Sequence, residues 1–356
     1  MRVWQLTGDT AGWPLRLVST ADPAPGPHDV VVAVRAVALN YRDLLVARGG
    51  YGGCVPAGAT PCSDAAGDIV AVGSEVSDLR AGDRVTSIFA PDWVSGPISR
   101  AALRTTLGAG HAGVLAELVV LPASAVLPIA GDLPYIDACT LPCAALAAWH
   151  ALFEIGRPEG PATVLTIGTG GVSTFAVQFA LAAGVRVIAT TGRDSKAARL
   201  RALGVADIIN YRDTPAWGER ARALTPGGEG VDLVVEVGGQ GTLEQSMRAV
   251  RPGGTIALIG TLAGRVPVDL APLFLRDIRL QGTLVGSREM FGRMNEAVVR
   301  WGLRPVVDRV FPFDDVRAAY AHLERATHIG KVVVAVSDAP AGDRRMDVRV
   351  SSKESL

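Results

Sequence analysis

The spacing of hydrophobic residues changes twice along the chain. In the first third, short runs rich in β-branched residues alternate with turns that contain Pro and Gly, and they predict strands at residues 30–37, 68–72, 83–89 and 115–121. Many short strands with such turns between them are typical of a small β-barrel. Residues 91–110 have no clear period and are predicted to be an irregular insertion.

The middle of the chain alternates between strand and helix patterns. A buried strand at residues 162–167 is followed by Val172, Phe175, Phe179 and Ala183, which recur at helical spacing. Further strands are predicted at residues 185–190, 206–209, 231–235 and 255–259, and helices at residues 195–203, from Thr214 onwards and at residues 242–250. Five strands joined by helices predict a doubly wound parallel sheet.

The last third returns to the pattern of the first. Strands are predicted at residues 306–311 and 331–336, around a helix that contains Tyr320. A chain of 356 residues is longer than one compact core usually holds, so we predict an α/β plus β architecture with two domains. The predicted bounds are 1–128 and 289–337 for the β-rich domain, 129–288 for the parallel-sheet domain, and 338–356 for a charged, disordered tail.

Composition argues against several classes of protein. Thirty-five basic residues balance thirty-five acidic ones, which disfavours a nucleic-acid partner. The four cysteines form no CxxC pair and indicate neither a disulfide framework nor a structural zinc site; they are Cys54, Cys62, Cys139 and Cys143. Residues 160–185 carry no charge, but a glycine cluster interrupts them. We therefore expect a soluble, cytoplasmic protein with no membrane-spanning segment.

A glycine-rich turn between a predicted strand and a predicted helix indicates a dinucleotide site. Such a site needs a tight turn, a backbone without Cβ beside the diphosphate, and free N–H groups at a helix start. Gly168 and Gly170 supply the first two, while Ser173 stands where glycine or alanine is usual. The residues predicted to hold the diphosphate are Gly168, Thr169, Gly170, Gly171 and Val172.

The next strand predicts which dinucleotide binds. An NAD site places a carboxylate about 20 residues after the first glycine, but here the strand ends at Thr191 with no carboxylate. Arg193 and Lys196 follow, and Asp194 between them is interpreted as a helix cap. Two cations and no carboxylate favour a 2′-phosphate, so we predict NADPH in preference to NADH.

Four segments together resemble the medium-chain dehydrogenase/reductase superfamily, and within it the zinc-free, quinone oxidoreductase-like branch that is often labelled alcohol dehydrogenase. They are ALNYRD at residues 38–43, AGDRV at 81–85, GTGGV at 168–172 and GKVV at 330–333. The likeness extends to about residue 336. It implies a GroES-like barrel formed by both chain ends, a Rossmann domain between them, and catalysis in the cleft.

The resemblance also implies where a catalytic zinc ion would lie. Zinc-dependent members hold it with a Cys, a His and a later Cys, and the matching positions are Asn40, Ser63 and Cys143. Amide and hydroxyl groups are poor zinc ligands. The four-cysteine lobe of such relatives is also missing, because residues 90–115 contain no Cys. We predict no metal site and interpret Cys139 and Cys143 as buried hydrophobic residues.

Without a metal ion, the acceptor itself is expected to delocalise the charge that hydride transfer leaves on oxygen. We therefore predict NADPH-dependent reduction of a small-molecule quinone or α,β-unsaturated carbonyl. By its matched position, Asn40 is expected to face the nicotinamide and to hold an acceptor oxygen or the carboxamide. Tyr51 matches the tyrosine that enoyl reductases of this superfamily use near the substrate, and Tyr41 is a weaker candidate for the same proton-donor role.

The family implies further contacts to the cofactor and to a second subunit. Tyr211 matches a tyrosine near the adenosine phosphate in quinone reductases, and Lys331 matches a lysine that reaches the cofactor cleft from the last strand. Gly238, Gly260 and Thr261 end later strands, at the edge where open α/β sheets bind ligands. A homodimer formed near residues 281–286 is expected.

Two alternatives stay open. The first is a zinc-free alcohol dehydrogenase that uses Tyr41 or Tyr51 as its acid. The second is a non-catalytic NADPH-binding module. It is suggested by the small number of polar candidates and by Ala147, which replaces a threonine frequent beside the nicotinamide in this family.

Overall fold

The computed structural model describes residues 1–8, 13–51, 56–158, 160–262, 264 and 266–336. The predicted disordered tail, residues 338–356, lies outside this range. The strands, in chain order, are β1 Arg2–Leu6, β2 Leu15–Ser19, β3 Asp29–Leu39, β4 Asp64–Val72, β5 Arg84–Ser87, β6 Leu118–Pro122, β7 Val126–Pro128, β8 Thr163–Thr166, β9 Arg186–Thr191, β10 Asp207–Asn210, β11 Val231–Glu236, β12 Val250–Leu258, β13 Arg279–Gly282, β14 Val307–Pro312 and β15 Lys331–Ala335.

The α-helices range from four residues to the thirteen of α10. In order they are α1 Tyr41–Ala47, α2 Arg100–Arg104, α3 Tyr135–Ala138, α4 Leu146–Trp149, α5 Gly171–Ala182, α6 Asp194–Ala202, α7 Trp217–Ala223, α8 Gln240–Ala249, α9 Ala271–Leu275, α10 Arg288–Arg300 and α11 Val316–Glu324.

Strands β8 to β13 form one parallel sheet in the order β10-β9-β8-β11-β12-β13. This is the strand order of dinucleotide-binding sheets, in which the chain reverses direction across the sheet between its first and fourth strands. Here the reversal lies between β8 and β11. Ligands bind at the carboxyl edge of the strands at this point, where β8 runs into the glycine turn.

Both faces of the parallel sheet are buried, which explains its uniformly apolar strands. Val164 belongs to a core that includes Phe175 and Phe179 of α5, whereas its neighbour Leu165 belongs to a core with Trp217 of α7 on the opposite face. Successive strand residues point to opposite faces, so a sheet covered by helices on both sides needs apolar residues at every position.

The other large sheet is formed by both ends of the chain. Its order is β14-β15-β3-β4-β5-β7, with β6 paired to β3, and β1 and β2 form a separate hairpin. The register pairs Val332 with Leu39 and Ala38 with Asp64. The ends of β3 and β4 and the start of β15 therefore meet, and this pairing brings Asn40, Asp64 and Lys331 together.

The two sheets meet at the glycine turn and along the helical segment 135–156. Gly170 forms an isolated parallel bridge with Gly330, just before β15. The helical segment contains α3, α4 and two π-helical stretches, Leu141–Ala145 and His150–Gly156. A π-helical turn redirects backbone N–H groups, and here the N–H of Cys143 donates to Asp64 of the β-rich sheet at 3.2 Å.

The predicted architecture is confirmed, with differences in detail. The parallel sheet has a sixth strand, β13, which the sequence pattern missed because its side chains are mostly exposed. The helix expected from Thr214 begins only at Trp217, and the insertion at 91–110 contains the short helix α2. Asp194 is the first residue of α6 rather than its cap. Within the described part of the chain, no helix is long and apolar enough to cross a bilayer.

Candidate active site and cofactor site

The glycine turn leaves its outer side clear for a ligand. Gly168 has φ 73°, a left-handed value that favours glycine, and a Cβ added at Gly168 or Gly170 would meet no atom within 4 Å. The N-terminus of the twelve-residue helix α5 follows directly. An open backbone beside free N–H groups at a helix start suits a diphosphate. The residues present therefore fit a bound dinucleotide.

Ser173 is accommodated at the position where glycine or alanine is usual. Its hydroxyl is buried and donates to the carbonyl of Ile167 at 2.7 Å, so the additional polar atom is satisfied within the turn. The side chain of Lys331 packs closely against Gly171, because a Cβ added at Gly171 would lie 2.7 Å from Cδ of Lys331. Thr169 is buried, its carbonyl accepts from the N–H of Gly330 at 2.9 Å, and Val172 is half-buried at the helix start.

The candidate adenosine side lies at the end of β9. The N–H of Tyr211 donates to the carbonyl of Thr191 at 3.0 Å, and the Tyr211 hydroxyl lies over Gly192, where it would contact an added Cβ. Arg193 is exposed at the start of α6. Lys196 donates from Nζ to the carbonyl of Ala326 at 2.9 Å, and partial burial together with Arg193 lowers its pKa. The structure thus brings Tyr211, Arg193 and Lys196 to one edge.

A buried carboxylate that the sequence analysis missed organises the turn after β11. Glu236 accepts from the N–H groups of Gly238 and Gly239 at 2.7 and 3.0 Å, and from the hydroxyl of Thr242 at 2.6 Å. Gly239, with φ 77°, leaves no room for a side chain because an added Cβ would lie 2.7 Å from Cα of Thr261. Gly239 is therefore packed against Gly260 and Thr261, and Gly238 just before it packs against Thr242. A carboxylate just before a Gly-Gly pair was the available signal.

The centre of the cleft contains a buried ammonium group. Nζ of Lys331 donates to the carbonyl of Leu39 at 2.7 Å and to Oδ1 of Asn40, and it lies 3.9 Å from Oδ2 of Asp64. Lys331 and Asp64 are 2% and 0% exposed. Asn40 is also buried, and its amide nitrogen has no hydrogen-bond partner, although its proximity to Asp64 favours the ionised carboxylate.

A second pair of charges lies beside this group on α1. Arg42 is buried, and Nη1 lies 4.0 Å from Oδ1 of Asp43. Burial raises the pKa of Asp43 to about 6 and also raises the pKa of Asp64. Asp43 Oδ2 accepts from the N–H of Asn40 at 2.8 Å, which holds the start of α1 against the end of β3. The cluster therefore contains two cations and two carboxyl groups.

The two candidate tyrosines differ in their surroundings. Tyr51 is half-buried, with the Arg42 guanidinium 4.8 Å from its ring centroid. Tyr41 is 44% exposed at the first position of α1. Ala147 is buried in α4. The structure thus brings Tyr51 into contact with Arg42 of the buried charge cluster and leaves Tyr41 largely exposed.

The three positions that match zinc ligands do not fit a zinc ion. Asn40 accepts from the Lys331 ammonium, and the Ser63 hydroxyl donates to Asp64 at 2.6 Å. Among the described residues, no three His, Cys, Asp or Glu side chains are arranged to hold a metal ion. The ammonium of Lys331 already binds Asn40, the first of the three positions.

Comparisons with known proteins agree with this geometry. Residues 26–131 match the alcohol dehydrogenase GroES-like domain and residues 171–300 match the zinc-binding dehydrogenase domain. A zinc-type alcohol dehydrogenase-like protein of Schizosaccharomyces pombe is 39% identical over 87% of this chain and 91% of its own. The crystal structure of an alcohol dehydrogenase from Sinorhizobium meliloti superposes with a TM-score of 0.87 at 41% identity, covering 94% of this chain and 98% of that one.

A third relative differs in the name of its substrate. The acryloyl-coenzyme A reductase of Metallosphaera sedula is 26% identical over 94% of this chain and 99% of its own. The parallel sheet, the open glycine turn and the polar cleft beside it define a nicotinamide-dependent oxidoreductase. The chain belongs to the medium-chain dehydrogenase/reductase superfamily, as its resemblance implies.

The buried carboxyl of Asp43 gives a prediction about stability. Its pKa is raised from 3.8 to about 6, so the folded state holds the proton more tightly and loses stability as the pH rises from about 4 to 6. The full effect corresponds to roughly 3 kcal/mol. Asp43→Asn keeps an acceptor oxygen for Asn40 and removes the titration. Denaturant unfolding should show the variant gaining stability relative to wild type between pH 4 and 7, and a constant difference would refute the assignment.

Proposed function

We propose that the protein is an NADPH-dependent, zinc-independent reductase of a quinone or an α,β-unsaturated carbonyl compound. The observation that carries the proposal is the Lys331 ammonium, which Leu39 and Asn40 hold at the first of the positions that match zinc ligands in other members of the superfamily. A buried cation at this place excludes a second one, because like charges in a dry site repel strongly.

The chemistry of the acceptor follows from the donors that remain. A simple ketone places the negative charge of hydride addition on one oxygen, and a Lewis acid normally stabilises it. Conjugated carbonyls and quinones spread the charge, so hydrogen-bond donors suffice. The amide nitrogen of Asn40 is buried and has no hydrogen-bond partner. Because Lys331 holds Oδ1, the amide nitrogen faces away from the ammonium. Burial raises the pKa of the Asp64 carboxyl, and its interaction with this nitrogen lowers it in part. The second N–H of the amide is the group that we assign to the acceptor oxygen.

The roles of the chain's own residues follow in sequence. NADPH, when bound at Gly168, Gly170 and the start of α5, supplies the hydride. Asn40 donates a hydrogen bond to the acceptor oxygen and thereby favours the charge that develops there. Tyr51, half-buried and stacked on Arg42, donates a proton from its hydroxyl to the reduced product. Tyr41 is the less favoured donor because it is 44% exposed.

The adenosine side supports NADPH. Arg193 and Lys196 lie near the end of β9, which lacks the carboxylate that binds the 2′-hydroxyl of NAD. Asp194, the only carboxylate between them, accepts from Nδ2 of Asn210 at 3.1 Å. Two cations at a ribose edge favour a 2′-phosphate.

Two other functions remain alternatives. The names of the relatives from S. pombe and S. meliloti favour an alcohol dehydrogenase, here without zinc. The acryloyl-coenzyme A reductase of M. sedula favours reduction of a conjugated acyl group. A non-catalytic NADPH-binding module would bind the cofactor but would not oxidise it with any acceptor. A panel of quinones, enones and primary alcohols separates the three.

We also propose a homodimer formed through the β13 edge of the parallel sheet. Strand β13 pairs with β12 on one side and lies at the end of the sheet on the other. Nearby, Phe274 and Leu275 of α9 are 76% and 72% exposed, which is unusual for apolar side chains of this size. Pairing two such edges would bury both the strand and the apolar helix.

The cofactor assignment predicts a selective loss of affinity. Arg193→Ala combined with Lys196→Ala should weaken NADPH binding by roughly 1–3 kcal/mol, because charged hydrogen bonds to the 2′-phosphate are lost. NADH binding should change little. Calorimetric titration of both cofactors measures the difference, and equal losses for both would contradict the phosphate assignment. Arg201→Ala, on the same helix α6, is a matched control.

The proton-donor assignment predicts a loss of turnover. Tyr51→Phe should lower kcat by at least about tenfold while leaving the Kd for NADPH unchanged, because only the acid is lost. Tyr41→Phe is the control and should leave kcat unchanged. If the Tyr41 variant alone loses activity, the donor role moves to Tyr41.

The metal-free assignment is tested by chelation. Dialysis of the protein against a strong zinc chelator should leave kcat and the thermal unfolding midpoint unchanged, because Lys331 supplies the cation in the cleft. Elemental analysis of the untreated protein should find zinc far below one atom per chain. Stoichiometric zinc, or activity that zinc restores after chelation, would overturn the assignment.

A further inference from the structure

We propose that one edge of the Arg42 guanidinium is a carboxylate-binding subsite in the substrate pocket, so that the substrate carries a carboxylate in addition to its conjugated carbonyl. This inference rests on the proposed reductase activity and names the substrate class more narrowly.

Arg42 is held rigidly in a buried place. It is 7% exposed, and Nη1 donates to the carbonyl of Leu107 at 2.8 Å. Its guanidinium carbon lies 4.8 Å from the ring centroid of Tyr51 and 4.7 Å from that of Phe89. Cation–π contacts use the face of a guanidinium and leave its edges for hydrogen bonds. The bond to Leu107 and the two ring contacts hold the group in one orientation.

The edge of the guanidinium formed by Nε and Nη2 has no hydrogen-bond partners in the described structure. Both nitrogens are buried. These two nitrogens point in the same direction from the planar group, and together they match the two oxygens of a carboxylate. Buried donors without partners are rare in folded proteins and call for a ligand or ordered water. Two of them on one rigid edge indicate a built site.

We place this edge beside the proposed substrate pocket because Arg42 contacts Tyr51, the proposed proton donor. Tyr51 and Cys143, whose electrostatic influence reaches Arg42, are both half-buried. Asn40 immediately precedes α1 and lies on the same cleft. A substrate whose carbonyl oxygen accepts a hydrogen bond from Asn40 therefore has its neighbouring groups within reach of α1. A carboxylate on that substrate would meet Arg42 there.

The charges around Arg42 favour an anionic ligand over a neutral one. The charged groups that face it are Asp43 on its own helix, with Asp64 of β4 and Lys331 of β15 beyond. Asp64 is engaged by Ser63, the Cys143 N–H and Lys331. Asp43 approaches Arg42 at Nη1, at 4.0 Å. In the described part of the chain no carboxylate is hydrogen-bonded to Nε or Nη2, and a substrate carboxylate would supply that partner.

The test compares one substrate with and without its charge. The probes are (E)-4-oxopent-2-enoate and its methyl ester, with saturating NADPH, in the full-length protein. Wild type should reduce the acid with a kcat/KM roughly 10- to 100-fold above that of the ester, as charged hydrogen bonds predict. Arg42→Met should abolish this preference and Arg42→Lys should retain part of it. The control is Arg48→Met, an exposed arginine that follows α1 and stacks on Trp13.

Binding measurements separate this inference from the proposed activity. The saturated acid 4-oxopentanoate and its methyl ester are titrated into NADPH-loaded wild type and Arg42→Met by calorimetry. Tighter binding of the acid than of the ester, lost in the variant, supports the subsite even if no enone is reduced. Equal binding or no binding of the two probes to wild type overturns the subsite and leaves the reductase proposal intact. If Arg42→Met fails to fold, the wild-type comparison alone decides.

Discussion

The buried ammonium of Lys331 is the contact on which the rest of the site depends. It lies where the ends of β3 and β4 meet the start of β15, and it touches the backbone of Leu39, the amide of Asn40 and the carboxylate of Asp64. A charge removed from water is stable only when it is paired and hydrogen-bonded. Asp64 and two oxygen acceptors provide this, and they in turn fix the direction of the Asn40 amide.

The same lysine couples the two halves of the molecule. Its aliphatic stem packs against Gly171 at the start of α5, and the residue before it, Gly330, is bonded to Thr169 and bridged to Gly170 in the glycine turn. This arrangement connects the cofactor cradle to the candidate acceptor site through the direct contacts of one residue.

The hydrophobic periods predicted the fold well, because a doubly covered parallel sheet and a half-exposed β-sheet have different patterns. The glycine turn could also be predicted from the sequence, because its backbone requirements restrict the residue types. The contacts of Lys331 and Arg42 could not be predicted. They depend on the register that pairs Val332 with Leu39 and on side chains that pack across elements far apart in sequence. Strand β13 was missed because an exposed edge strand has no apolar period.

The net charge of the buried cluster determines which kind of acceptor suits a site that lacks suitable zinc ligands. Arg42 and Lys331 face Asp43 and Asp64, so the cluster is formally neutral when both carboxyls are ionised. The raised pKa values of the two carboxyls indicate that burial opposes ionisation. A proton taken up by either leaves a positive surplus beside Asn40 and Tyr51. Such a site favours a substrate that is anionic or becomes so during reduction, and it does so without the concentrated charge of a divalent ion. A delocalised acceptor fits these electrostatics better than a simple alcohol does.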